Sequence, residues 1–343
     1  SLTSITNQGN ISANDGGYVV FISPTINNSG NITANSGSVN MASGDDVTLT
    51  FANNGLINLV INKETAAEAL GIDNAGTITA DGGQVIISAQ IAGDLLKTVV
   101  NNTGVIQART IENKNGTIKL LGGMENNAIN VGGTLDASAP ACAEPCRSGG
   151  DGGFIETSAA SVKVADGAVI TTAAPSGTTG EWLIDPTDYT IAASGGDITG
   201  SQLSTYLGDS NVNIFSSFGA TGTNGDVNVN DAVSWSANTT LTLSAYRNIN
   251  INSNITATGN TAGLTLTPNN GAGGSYSLNN GAVITLSGSA PSLTIAGIAY
   301  AVLNEANGGV TALQNMVCIA CLSGRYALGS NIDASNTYMS AGW

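Results

Sequence analysis

The sequence predicts an all-β chain, a parallel β-helix (solenoid) with short helical or loop decorations, and three observations predict it. A unit of the form N-x-G-x-I-x-A, followed by glycine and a Val-rich strand, recurs along the chain. Short segments of alternating apolar and polar residues, bounded by Gly, Asn and Ser, continue beyond it, with almost no helical periodicity. The composition agrees: 41% of the residues are hydrophobic, many of them β-branched, only 10% are charged, and 45 of the 343 are glycine. Such a chain can bury a continuous core although it carries little charge.

In chain order, the repeats are NQGNISANDGGYVVFIS from Asn7, NSGNITANSGSVNMAS from Asn28, NAGTITADGGQVIISA from Asn74 and NTGVIQA from Asn102, with a degenerate VGGTLDAS from Val131. Their glycines, Gly9, Gly30, Gly76, Gly104 and Gly133, lie 21, 46, 28 and 29 residues apart, and the interval of 46 reads as two coils of 23. One such strand face cannot bury its Ile and Val alone; neighbouring coils complete it. Asn and Gly at one point of successive coils suit tight corners, where left-handed backbone and stacked amides are useful. Three interruptions read as short helices or loops: KETAAEALG near Lys63, AGDLLKTVV near Ala92 and DITGSQLSTYL near Asp197. The last offers Thr199 or Ser201 as N-cap, with Leu203, Tyr206 and Leu207 at helical spacing. The chain divides at 1–180, carrying the N-x-G-x-I-x-A coils, and 181–343, whose coils continue one rod. A β-sandwich also gives regular short strands, but the recurrence favours the β-helix.

Composition excludes several functions. There is no histidine, hence no imidazole base and no His-ligated zinc or haem. Nine basic against 24 acidic residues give a net charge of −15, which repels the phosphate backbone of nucleic acid. The most apolar stretch, Val310 to Leu322, is interrupted by Thr311, Gln314 and Asn315 and is too short to span a bilayer. The sequence starts without Met or a signal peptide and ends at SAGW, which reads as an internal piece of a longer chain.

The segments GGFIETSAASVKVADGAVITT from Gly152, GEWLIDPTDYTI from Gly180 to Ile191, DAVSWSANTTLTLSAYRNININSNITATG from Asp231 and LSGRYALGSNIDAS from Leu322 carry a resemblance. They resemble the filamentous haemagglutinin-type exoproteins of two-partner secretion, including the high-molecular-weight adhesins. The Trp-Leu-Ile-Asp-Pro string is its most specific part, and the repeats match that family's style more loosely. The resemblance implies a right-handed parallel β-helix, export through an outer-membrane two-partner-secretion transporter, a secreted or bacterial cell-surface location, and attachment to host cells, surfaces or sister cells. The family's secretion domain with its Asn-Pro-Asn motifs is absent from these residues, which places them downstream of it. No Arg-Gly-Asp tripeptide is present, so a host-cell receptor or glycan is implied without being identified.

Candidate chemistry follows. In an exported chain the close pairs Cys142 with Cys146 and Cys318 with Cys321 read most simply as two disulfides. A zinc ion shared by all four thiolates is the alternative, and it needs both pairs to converge although many coils separate them. The sequons at Asn10, Asn27, Asn31, Asn101, Asn115, Asn238 and Asn254 are glycosylation candidates by the same resemblance, in a chain rich enough in Asn, Ser and Thr to produce several by chance. Asp45 with Asp46, and Asp185 with Asp188, are the acid pairs a polysaccharide-cleaving β-helix would use, needing carboxyls about 5–9.5 Å apart. Against them, the first pair lacks a basic partner motif and Asp185 precedes a proline, as turn residues do. Thr-rich strands such as NTTLTLS read as ordinary β residues before an ice-binding ladder. Trp182, Trp235 and Trp343 read as packing residues.

The sequence therefore predicts a non-enzymatic adhesive exoprotein with no cofactor and no metal, which does not span a membrane and can associate end to end. An extracellular fibre or matrix subunit is the second reading, and a polysaccharide-cleaving enzyme the third.

Overall fold

A computed structural model describes residues 3–52, 55–141, 149–217, 223–269, 273–317 and 323–338. The chain is all-β, with 47% of its residues in strands and 6% in helix, and its sheets are predominantly parallel. It forms two compact units, Ser1–Tyr189 with Asp209–Asp226, and Thr190–Gly208 with Val227–Trp343.

In the first unit each repeat contributes one strand to each of three sheets. Sheet I runs Ser4–Asn7, Thr25–Asn28, Gly71–Asn74, Lys97–Asn102, Asn127–Val131 and Ser161–Val164. Sheet II runs Asn10–Ser12, Asn31–Thr33, Thr77–Thr79, Val105–Gln107, Thr134–Asp136 and Val169–Thr171. Sheet III runs Tyr18–Ile22, Ser38–Ser43, Gln84–Ala89, Thr117–Gly122, Phe154–Ser158, Glu181–Asp185 and Asn211–Phe215. Every pairing between these strands is parallel, and the buried aliphatic positions stack in columns. Ile26, Ile72, Val100 and Ile129 align in sheet I, and Ile32, Ile78, Ile106 and Leu135 in sheet II. In sheet III, Val39, Val85, Ile118, Ile155, Trp182 and Val212 form one column. These side chains are buried, each contributing about 1.5–3 kcal/mol relative to exposure. Trp182 is fully buried and donates its Nε1 to Thr157 Oγ1 at 3.1 Å, so its polar edge is satisfied inside the core.

The Asn and Gly of the repeat have distinct roles. Asn7, Asn28, Asn74 and Asn102 are buried and in register, each Nδ2 donating to the next Oδ1 at 2.8, 2.7 and 2.7 Å. Two residues on, Gly30, Gly76, Gly104 and Gly133 each lie against the carbonyl oxygen of the preceding glycine in the series, where a Cβ would overlap it. These corner glycines are not left-handed; the positive φ falls later in the turn, at Gly16, Ser36 and Gly82. Close approach of stacked backbones is thus what requires glycine here.

The interval of 46 residues is not two coils. Thr77–Thr79 pairs directly with Asn31–Thr33, and Gln84–Ala89 with Ser38–Ser43, so the interval is one repeat plus an excursion. The excursion contains an antiparallel hairpin, Asp46–Phe51 with Ile57–Lys63. Its apolar side, Leu59 and Ile61 with Val47 and Leu49, packs on Ala42, Ile86 and Leu121 of sheet III. Ile57 N–H donates to Ser38 Oγ at 3.0 Å, and Gln84 Nε2 donates to the Ile57 carbonyl. That cover explains why Ser38–Ser43 and Gln84–Ala89 are buried along their whole length.

The second unit repeats the pattern of parallel pairing in three sets of strands: Val227–Val229, Ile249–Ile251 and Tyr276–Leu278; Val233–Trp235, Ile255–Ala257 and Ile284–Leu286; and Thr240–Ser244, Gly263–Thr267 and Ser292–Ile295. The last is extended by antiparallel Ile298–Leu303. Of the three interruptions, the one near Asp197 forms a helix, Gly200–Tyr206. Thr199 caps it, with Gln202 completing a capping box, and Leu203 and Tyr206 are buried. Burial pushes the Tyr206 phenol up to about 12. The other two form turns, and AGDLLKTVV passes into the strand Lys97–Asn102. A short helix that the strand pattern did not anticipate spans Gly309–Gln314. Among the described residues no helix is long and apolar enough to cross a membrane.

Candidate functional site

Strand alternation puts the residue before each buried Asn on the opposite side of sheet I. Asn27, Asp73, Asn101, Asn130 and Lys163 consequently form one outward column, in register across five adjacent strands. Asn101 Nδ2 donates to Asp73 Oδ1 at 2.9 Å, and Asn130 Nδ2 donates to Asn101 Oδ1 at 2.8 Å. Lys163 enters no ion pair among the described residues, and Asn130 Oδ1 accepts no hydrogen bond among them.

The two turn-forming interruptions line this column. The segment after Lys63 brings Leu70 to it, and the segment after Ala92 brings Leu96; these leucines are 70% and 59% exposed. Both segments are tied down. Thr65 and Ile91 form a parallel bridge, Ala92 N–H donates to the Thr65 carbonyl at 2.9 Å, and Lys97 Nζ donates to the Ala67 and Ala69 carbonyls. Asn127 holds Ile91 by both its N–H (3.1 Å) and its carbonyl (2.9 Å). The result is a groove of about 680 Å³, also lined by Thr98 and Ser161. That volume lies within the range of small-molecule sites. Chemically, the groove offers amides, one carboxylate and one ammonium between apolar rims, which suits reversible recognition of a polar ligand.

The second unit has an apolar pocket of about 290 Å³, lined by Tyr276, Leu278, Leu286, Leu293 and Val302, among others. A wider depression of about 790 Å³ adjoins it and shares Val283, Ile284, Leu328 and Gly329. Neither gathers charged side chains as the groove does.

The members of the two acid pairs each hold separate partners. Asp45 pairs with Lys63 at 3.3 Å and Asp46 accepts from Asn62 at 3.2 Å, both at the base of the hairpin. Asp188 accepts the N–H groups of Asn224 and Asp226, organising a loop. Asp185 accepts from Ser217 Oγ at 2.8 Å. Burial pushes the Asp185 carboxyl above its ordinary range, the Ser217 hydroxyl opposes the rise, and the charge of Glu156 adds to it. Glu156 itself pairs with Lys119 at 2.7 Å. Among the described residues no group of three or more His, Cys, Asp or Glu side chains is placed to hold a metal ion.

All seven sequon asparagines are described. Asn10, Asn27, Asn31, Asn115, Asn238 and Asn254 are exposed, and Asn101 is half-buried in the groove. Asn10 Oδ1 accepts from Asn31, Asn238 Oδ1 from Thr261 N–H and Asn254 Oδ1 from Val283 N–H. Cys142, Cys146, Cys318 and Cys321 lie outside the described residues, as does Trp343, so their pairing and packing are not defined here. Trp235 is buried, donating its Nε1 to the Thr239 carbonyl at 3.2 Å.

The groove was absent from the sequence reading. Its polar members share no motif, differ in residue type and are separated by whole repeats. The signal that could have found them is positional: each precedes the residue that registers with the buried asparagine column. No protein-family model matches the chain, and no curated protein sequence matches it.

Proposed function

We propose that the chain is part of an exported bacterial adhesin of the filamentous haemagglutinin type, folded as a right-handed parallel β-helix, and that the groove on sheet I contacts its ligand. The observation that carries this reading is the register of the first unit. Each repeat supplies one strand to each of three parallel sheets, and buried asparagines, glycines and aliphatics stack on their counterparts. A chain wound in this way displays long columns of surface residues at strand spacing, about 4.8 Å, and such columns suit extended ligands. The net charge of −15 suits a secreted or cell-surface protein that stays soluble, and export would use the transporter of the parent chain. Recognition without catalysis suits Asp185 and Asp188, which hold separate structural partners.

The experiment is retention on host cells and on a panel of glycans, with new glycan ends scored in the same wells. Saturable retention without new ends supports the proposal; cleavage would reverse it in favour of a polysaccharide-cleaving enzyme. A fibre-forming reading draws on a different observation, the exposed apolar residues Leu278, Val283 and Leu328 of the second unit. Concentration-dependent growth in sedimentation, without retention, would favour it.

A further inference from the structure

We infer that the sheet I groove binds a linear glycan carrying a single carboxylate-bearing sugar, oriented so that the carboxylate meets Lys163. The inference deepens the adhesive reading of this groove and rests on it. It comes from the charged groups at the two ends of the amide ladder. Asn130 donates to Asn101 and Asn101 donates to Asp73, so both N–H dipoles point the same way. The ladder is flanked by opposite charges, a carboxylate at Asp73 and an ammonium at Lys163, three strand spacings or about 14 Å apart.

A ligand lying on this column needs groups that both donate and accept, because amide N–H and C=O groups alternate along it. Hydroxyls do both, and the strand spacing is close to the length of one pyranose unit. Leu70 and Leu96 offer apolar rims to the C–H faces of the rings. An extended peptide gains most from an open strand edge, whereas the groove lies on a sheet face, and four of its five strands are paired on both sides, Ser161–Val164 alone ending the sheet. A uniform polyanion would meet Asp73 within a protein of net charge −15. One acidic unit among neutral ones satisfies both ends. Among the described residues no aromatic side chain lines the groove, so single-site affinity is modest.

The test titrates the protein with a xylo-oligosaccharide carrying one glucuronate branch, with the same oligosaccharide unbranched, and with oligogalacturonate. The glucuronate-bearing probe should bind about three- to fivefold more tightly than the neutral one, the effect expected of one solvent-exposed charge contact. Lys163→Met should erase that preference at an unchanged Tm, Lys163→Arg should retain it, and Asp73→Asn should improve binding of oligogalacturonate. Equal binding of the branched and unbranched probes, a preference that survives Lys163→Met, or no binding of either probe would each overturn the inference. Cell retention measured on the same preparations separates the two claims. Retention that persists in Lys163→Met alongside any of those results sinks this inference alone, whereas absent retention of the wild-type protein sinks the adhesive reading too.

Discussion

The two sides of sheet I differ although the same strands build both. Facing inward, Asn7, Asn28, Asn74 and Asn102 are buried, and each amide is bonded to its neighbour in the column. Facing outward, one residue earlier in each strand, Asn27, Asp73, Asn101, Asn130 and Lys163 are wholly or partly exposed, with donors and acceptors left for solvent or ligand. A net hydrogen bond contributes only about 1 kcal/mol, but an orphaned buried partner costs about 1–3 kcal/mol. The inner ladder is therefore bound to the stability of the fold. The outer one can vary in residue type, as its mixture of Asn, Asp and Lys does, without loss of folding, and that freedom suits the recognition proposed for it.

Substitutions can break or sharpen this contrast. The largest effect belongs to Gly76→Val, whose Cβ would overlap the Gly30 carbonyl oxygen and force two stacked backbones apart. A loss of about 3 kcal/mol or more is expected in denaturant unfolding of the first unit. A loss below about 1 kcal/mol would show that the stack yields easily.

Next comes the paired comparison of Asn74→Ala with Asn101→Ala, two positions in register-related columns on opposite sides. The first removes an acceptor for Asn28 and a donor to Asn102 inside the core and should cost about 2–3 kcal/mol. The second breaks only half-exposed bonds and should stay within about 0.5 kcal/mol. Equal losses would dissolve the distinction between the ladders.

A smaller effect tests electrostatics away from both columns. The Asp185 carboxyl is raised in the folded state, mainly by burial, so the native protein takes up its proton before the unfolded chain does. Its charged form consequently disfavours folding at neutral pH, and this penalty fades as the pH falls through the folded pKa toward the unfolded value. Asp185→Asn should therefore raise Tm at pH 7 by about a degree or two. The gain should shrink toward the ordinary carboxylate range. A gain that grew on acidification would contradict the assignment.

How much of this was legible in the sequence depended on where the periodicity was strict. The N-x-G-x-I-x-A units foretold parallel strands with stacked Asn, Gly and Ile, and the two N-cap candidates, Thr199 and Ser201, bracketed the start of the helix at Gly200–Tyr206, which Thr199 caps. The hairpin was missed because its strands alternate like the repeats around them, so a chain excursion passed for a coil. The Asn54-Gly55 pair between two alternating runs is the turn signal that separates the cases. The groove was illegible for another reason. Its members come together only once the register is known, and its rims, Leu70 and Leu96, come from segments whose course is set by bonds to distant residues, such as Leu70 N–H to Thr25 Oγ1.

The central claim is that the inner ladder folds the protein while the outer groove attaches it. It is tested most directly by measuring retention on host cells and a glycan panel for the wild-type protein and for the double variant Asn130→Ala with Lys163→Met, alongside Tm. The account predicts saturable retention of the wild type with no new glycan ends, and loss of retention in the double variant at an unchanged Tm. Undiminished retention of the double variant, or release of new glycan ends by the wild type, would contradict it.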